Sequence, residues 1–235
     1  MLLETTGLMK RFGGVVAVNA VDLAIPEGQV FGLIGPNGAG KTTFINVVSG
    51  HARADGGSVH FAGADVTRLR PDQLARRGIA RTFQAIRLFK GLTVIENVRL
   101  GGFLRGSAPD RARALLERLG LAARAEALAG ELAYGDQRRL EIARALTSEP
   151  KLLILDEPAA GMNPTESAAL RELLRALGAE GITIILIEHD VRLVMGACER
   201  VAVLNFGRKI AEGTPAQVQG DPAVRDAYLG SDDDG

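Results

Sequence analysis

Residues 35–43 read Gly35, Pro36, Asn37, Gly38, Ala39, Gly40, Lys41, Thr42, Thr43, between the apolar run VFGLI at 30–34 and the stretch KTTFINVVSG. This fits G-x-x-x-x-G-K-[ST], with a strand expected before it and a helix after it, as the pattern requires. Glycines let the backbone curl so that successive N–H groups point inward at phosphate oxygens. The start of the following helix adds its positive dipole end. Lys41 is placed to reach the outer phosphates of a nucleotide, and the Thr42 hydroxyl to ligate Mg²⁺. Glycine-rich turns that bind nothing are common; the complete eight-residue pattern in this setting is not.

Two later runs resemble VFGLI: LLIL at 152–155 and ITIILI at 182–187, which end at DEP and EHD. Uninterrupted apolar runs suit strands covered on both faces, as in a parallel sheet. Ligands gather at the carboxyl ends of such strands, so the three ends are expected to converge. The first thirty residues alternate apolar and polar, with Val21, Leu23 and Ile25 on one face, and predict antiparallel strands. Residues 110–128 are rich in Ala, Leu, Arg and Glu and predict helix. The fold class is therefore α/β: a phosphate-loop core with a mostly parallel sheet, an N-terminal antiparallel β subdomain, and an α-helical subdomain inserted at about 85–150. Asn163, Pro164 and Glu166 mark a helix start with a capping box. The tail SDDDG reads as disordered, and there is no internal repeat.

Asp156 and Glu157 close the second apolar run. A first carboxylate there can hold Mg²⁺, and the next can polarise the water that attacks a γ-phosphate. Strands often end in acidic residues before a turn, but beside a phosphate loop the chemical reading is favoured. His189 ends the third run at the same edge, which sets it apart from His51 and His60, read as ordinary histidines.

Composition excludes several classes. The chain carries 28 basic and 28 acidic residues, so there is no basic excess to suggest nucleic acid as a partner. A single cysteine, Cys198, rules out a disulfide framework within the chain and reads as a small core residue. The apolar runs are too short to cross a bilayer, and MLLETTGLMK lacks the pattern of a signal peptide. The chain is expected in the cytoplasm, with any membrane connection made through a partner.

In motif order the chain resembles the ATP-binding domains of ABC transporters over nearly all of its 235 residues, read as one domain. The resemblance implies that Phe12 stacks on adenine with Ala17 nearby, although Phe12 alone reads equally as core. Gln84, in RTFQ, matches the glutamine that meets Mg²⁺ and the attacking water and couples to the membrane subunit. LAYGDQRR at 132–139 matches the signature motif, carried by Ala133, Tyr134, Gly135 and Asp136, which acts on a partner's ATP. AGMN at 160–163 matches the loop that meets the partner, and His189 the histidine that contacts the γ-phosphate. ATP and Mg²⁺ are the implied ligands. The implied partners are a second ATPase in a homo- or heterodimer, two membrane permeases and, indirectly, a substrate-binding protein, on the cytoplasmic face of the membrane.

RTFQAIRLFKGLTVIENV, LDEPAAGMNP, IEHDVRLVM and the terminal AYLG resemble the ATPases of branched-chain amino acid importers, of the longer type in the pair, and so imply an importer of branched-chain or other hydrophobic amino acids. A lipopolysaccharide-type exporter ATPase is the near competitor. A soluble ABC ATPase would bring two ATPase halves or a long coiled-coil insertion. A small-molecule kinase would leave the signature segment unexplained, and a binder without hydrolysis would leave Glu157 and His189 idle. The chain departs from the common signature in Ala133 for Ser, Tyr134 for Gly and Asp136 for Gln, and carries Asn163 where many relatives have Asp. Ala133 lacks a hydroxyl for the partner's γ-phosphate, and Asp136 would oppose that anion if it faced inward. The stretch between Val98 and Leu132 reads as compressed.

Overall fold

Alternation at the N-terminus produces a four-stranded antiparallel sheet in the computed structural model, which describes residues 1–103 and 109–229. Strands β1 (Leu3–Phe12) and β2 (Val15–Ile25) pair with β4 (Gly56–Phe61) and β5 (Ala64–Asp65) in the order β2-β1-β4-β5. The fully apolar runs form the centre of a second sheet. Its order is β10-β9-β3-β8-β7-β6, with β3 at Val30–Ile34, β6 at Ile79–Arg81, β7 at Leu152–Asp156, β8 at Thr183–Ile187, β9 at Arg200–Asn205 and β10 at Arg208–Gly213. All of its pairings are parallel except the β9–β10 hairpin.

Every residue of β3, β7 and β8 is buried, because each strand feeds two cores in alternation. Ile154, Ile185 and Ile187 face the antiparallel sheet and helix α1 (Lys41–Val48) with Phe31 and Phe44. Leu153, Leu155, Ile184 and Leu186 face the opposite core, shared with Leu170 and Leu174 of α6 (Pro164–Ala179). Each such side chain contributes roughly 1.5–3 kcal/mol of burial, so this sheet is the rigid frame for the loops at its carboxyl edge. Helix α2 (Pro71–Arg77) precedes β6.

Between β6 and β7 lie α3 (Val94–Gly101), α4 (Pro109–Arg118) and α5 (Tyr134–Thr147), packed on one another through Val98, Leu116 and Leu140. The helix expected over 110–128 is shorter than its composition suggests. It stops at Arg118, because Gly120 turns left-handed at φ 70°, and 3₁₀ turns follow at Ala122–Arg124 and Ala129–Glu131. Helix α6 starts as its sequence predicts: the Asn163 carboxamide accepts from the Thr165 and Glu166 amides at 3.0 Å, and Glu166 accepts from the Asn163 amide at 2.9 Å. Cys198 is buried behind Gly32, as read. The SDDDG tail lies outside the described residues, as does part of the stretch that reads as compressed. Helices α7 (Val191–Ala197), α8 (Pro215–Gly220) and α9 (Pro222–Leu229) complete the described residues. No helix among the described residues is long and apolar enough to cross a membrane.

Candidate functional site

Strand β3 delivers its carboxyl end into a loop that only glycine can build at two points. Gly35 has φ 148°, and a Cβ there would lie 2.1 Å from the Leu204 carbonyl oxygen. Gly40, at φ 100°, would put a Cβ 2.3 Å from the Ala17 carbonyl oxygen. The loop is thus pressed onto β9 and β2, and the Gly207 amide holds it by donating to the Ala39 carbonyl at 3.0 Å. Lys41, the first residue of α1, folds back and donates to the carbonyls of Gly35 at 2.6 Å and Pro36 at 3.0 Å. Burial lowers the Lys41 pKa from its ordinary value, against the raising influence of Glu157 and Asp156.

A cavity of about 270 Å³ opens over this loop, lined by Ala17, Asn37 to Thr43, Gln84 and Glu157. The Gln84 amide nitrogen donates to a Glu157 carboxylate oxygen at 3.0 Å. Residues 73 positions apart therefore meet at the mouth of the loop. Glu157 takes the left-handed conformation at φ 49°, with its amide on the Ile187 carbonyl at 2.9 Å. Such a conformation costs a non-glycine residue of order 1–3 kcal/mol, and it turns this carboxylate away from the run of its strand.

Asp156 stands behind the cavity. One of its carboxylate oxygens accepts from the Arg81 guanidinium at 2.9 Å, with both side chains almost fully buried. The other Arg81 nitrogen reaches Asn46 Oδ1 at 2.7 Å and Ser49 Oγ at 3.0 Å, tying β6 to α1. Among the described residues no group of three or more His, Cys, Asp or Glu is placed to hold a metal. Thr42 and Gln84 line this cavity and carry oxygen atoms of the kind that Mg²⁺ takes as ligands, and Asp156 lies behind them.

Phe12, His189 and residues 133–136 do not line this cavity. Phe12 is 53% exposed at the end of β1, with the Lys10 ammonium 5.2 Å above its ring, which excludes the core reading. The His189 side chain is 69% exposed. Its neighbour Glu188 is buried and accepts from the Ala159 amide at 2.8 Å; burial raises its pKa.

Ala133 is the N-cap of α5 and offers no side-chain cap. The Tyr134 ring lies over Gly161, where a Cβ would come within 2.9 Å of it, and Gly135 abuts the Glu166 carboxylate. Asp136 does not stand as an unpaired charge: it is in an ion pair with Arg139, one helical turn on. A residue that sequence reasoning missed holds these parts together. Arg138 is buried and donates to the Phe83 carbonyl at 2.8 Å, to the Gln84 carbonyl and to the Tyr134 hydroxyl at 3.1 Å. Nothing in the sequence separates it from the surface cation Arg139 beside it.

A groove of about 510 Å³ runs behind Gln84, lined in part by His51, Leu74, Phe83, Phe89 and Arg144. His51, read from sequence as unremarkable, contacts Ser49 Oγ at 3.0 Å and meets Phe83 edge-on at 5.4 Å between ring centres. Burial and then Arg81 lower its pKa.

The family profile described as ABC transporter matches residues 18–160. The chain belongs to the ABC transporter family. A second profile, Branched-chain amino acid ATP-binding cassette transporter, matches residues 208–234 of this ABC cassette. The cassette is 46% identical to the high-affinity branched-chain amino acid transport ATP-binding protein LivG of Salmonella typhimurium, across 97% of this chain and 98% of that one. Its identity to BraF of Pseudomonas aeruginosa, a protein of the same description, is 43% over the same shares. Among solved structures it superposes on the ADP conformation of the ABC transporter cassette MJ1267 with a TM-score of 0.90, at 35% identity, covering 97% of this chain and 98% of that one. A dimeric post-hydrolysis cassette, MJ0796 bound to ADP and Pi, matches with a TM-score of 0.83 at 26% identity, over 91% and 99%. The ABC ATPase fold, with its parallel core, antiparallel sheet and helices, is the one expected from the motifs.

Proposed function

We propose that this ABC ATPase energises an importer of branched-chain amino acids, working on the cytoplasmic face of the membrane. The observation that carries the catalytic part is the Gln84–Glu157 pair at the mouth of the cavity over the phosphate loop. Loop amides and the Lys41 ammonium bind the phosphates of ATP, for which Lys41 gives up the carbonyls of Gly35 and Pro36. Glu157 takes the proton of the attacking water, and the Gln84 amide holds both in line. A bound Mg²⁺ would supply charge neutralisation on the phosphates, held by Thr42, Gln84 and Asp156. His189 supports the γ-phosphate, and Phe12, exposed at the end of β1, is available to stack on adenine.

In this reading two cassettes, alike or different, pair head to tail, so that Ala133 to Asp136 of one face the ATP of the other. The Arg139 partner of Asp136 offsets its charge toward that ATP. The groove at His51, Phe83 and Phe89 takes a short helix of a permease, next to the Gln84 segment that Arg138 anchors to the signature helix. Two permeases and, indirectly, a substrate-binding protein complete the assembly. The amino-acid substrate is inferred from the full-length likeness to LivG and BraF and from the match over 208–234.

The test is to purify the tagged chain from membranes and identify what accompanies it. Two permeases and a sister ATPase, with ATPase activity stimulated by a branched-chain amino acid and its binding protein, are expected. Co-purification with an exporter, or with no membrane protein, would overturn the importer reading.

A further inference from the structure

Among the described residues three carboxylates are buried, and two of them face a guanidinium: Asp156 meets Arg81 at 2.9 Å, and Glu141 meets Arg138 at 3.3 Å. Glu188 is the third, 1% exposed, and no lysine or arginine among the described residues forms an ion pair with it. Burying a carboxylate without a cation is costly, so the contacts it does make are informative. One oxygen accepts from the Ala159 amide at 2.8 Å. The other accepts from the His189 amide at 3.3 Å and lies 3.9 Å from His189 Nδ1. A single side chain just past β8 thus joins the loop that follows β7 to the histidine segment.

That loop begins with Glu157 in its left-handed conformation, at φ 49°. Two contacts from the end of β8 hold it: the Glu157 amide donates to the Ile187 carbonyl at 2.9 Å, and two residues on the Ala159 amide donates to Glu188. A left-handed residue other than glycine persists only where its surroundings over-determine it. The first contact joins backbone to backbone. The second hangs on one side chain, so Glu188 is the part of the restraint that a substitution can remove. The Ala159 carbonyl in turn accepts from the Met162 amide at 2.9 Å, closing the turn that contains Gly161, over which the Tyr134 ring lies.

We propose that Glu188 is a positioning residue for hydrolysis. It holds the loop behind Glu157, so that the Glu157 carboxylate keeps its aim at the attacking water, and it fixes that loop against the His189 segment. The role needs no contact between Glu188 and ATP. The inference rests on the reading of Glu157 as the general base, and adds to it the side chain on which that geometry depends. Its effect falls on the chemical step, because the loop at Gly35 to Thr43 is built from other contacts, with Ala17, Leu204 and Gly207.

The test compares the full chain with Glu188→Gln, whose Oε1 can still accept from the Ala159 amide, and with Glu188→Ala, which has no acceptor. Amide exchange at Ala159 is followed in the protein without nucleotide, ATP affinity by calorimetry, and kcat by phosphate release. Glu188→Ala should speed Ala159 exchange roughly tenfold or more, the loss of a hydrogen bond to a charged acceptor. A misplaced general base should lower kcat roughly ten- to 100-fold, with ATP affinity within about threefold of the parent. Glu188→Gln should bring exchange and kcat back to within about threefold of the parent. A kcat in Glu188→Ala within about twofold of the parent overturns the proposal. So does a loss of affinity as large as the loss of kcat, which would mean general damage to the site, and so does a Glu188→Gln protein as impaired as Glu188→Ala. Should Glu188→Ala fail to fold, Glu188→Asp, which keeps the charge and draws the carboxylate back from the Ala159 amide, takes its place with the same outcomes required. If Glu157→Gln hydrolyses ATP at the parent rate, the general-base reading falls instead, and Ala159 exchange alone then decides whether Glu188 holds the loop.

Discussion

Arg81 and Asp156 meet at 2.9 Å with both side chains almost fully buried, so the first carboxylate of the DEP segment is clamped from behind by a cation on the neighbouring strand. Removing one partner of such a pair leaves an uncompensated buried charge. Arg81→Ala is expected to cost about 3–5 kcal/mol in urea unfolding. Arg81→Lys should lose less, keeping the charge but not the guanidinium fork that also reaches Asn46 and Ser49. An Arg81→Ala protein as stable as the parent would show that Asp156 is not held this way.

Glu157→Gln should bind ATP and hydrolyse it at least about 100-fold more slowly, the contribution of a positioned general base. With ATP bound and not consumed, the variant should accumulate closed dimers on gel filtration. Turnover at the parent rate would remove Glu157 from the chemistry.

Lys41→Ala deletes the ammonium that folds over the loop's first turn. A charge-assisted hydrogen bond to phosphate contributes about 1.5–3 kcal/mol, so nucleotide affinity should fall roughly 10- to 100-fold by calorimetry. Retained micromolar binding would count against the phosphate-loop assignment.

Asn163→Ala removes both acceptor contacts at the start of α6. The expected loss is about 1 kcal/mol, or roughly 2–4 °C in Tm by calorimetry for a chain of this size. Asn163→Asp should hold the helix about as well, since both residues cap.

Burial, then the nearby Glu199 charge, pushes the Cys198 thiol up to about 12. At pH 8 the thiolate is almost absent and the sulfur is enclosed. A thiol-alkylating reagent should therefore leave the native protein untouched and modify it fully in denaturant. Rapid labelling of the native chain would contradict the burial.

Much of the fold was legible because its signals are local. VFGLI, LLIL and ITIILI are buried on both faces, and that shows directly as runs with no polar residue. The Asn163 box and the loop at Gly35 to Thr42 are chemistry contained within a few consecutive positions. The helix at 110–128 is shorter than its composition suggests because composition cannot weigh a single left-handed glycine, Gly120, against the run of good helix formers from Arg111 to Leu119.

The sequence by itself determined the phosphate loop, the three buried strands and the carboxylate edge where they end, because periods of two residues and one helical turn are imposed within the chain's own reach. Only the tertiary structure decided which charge meets which. Arg81 and Asp156 are 75 positions apart, and Arg138 and the Gln84 carbonyl 54. Asp136, an anion beside a phosphate site by sequence, became half of an ion pair once α5 placed Arg139 one turn above it. Whether a polar side chain is a ligand, an anchor or solvated surface is a property of its burial and its partner. Those exist only after distant segments have packed.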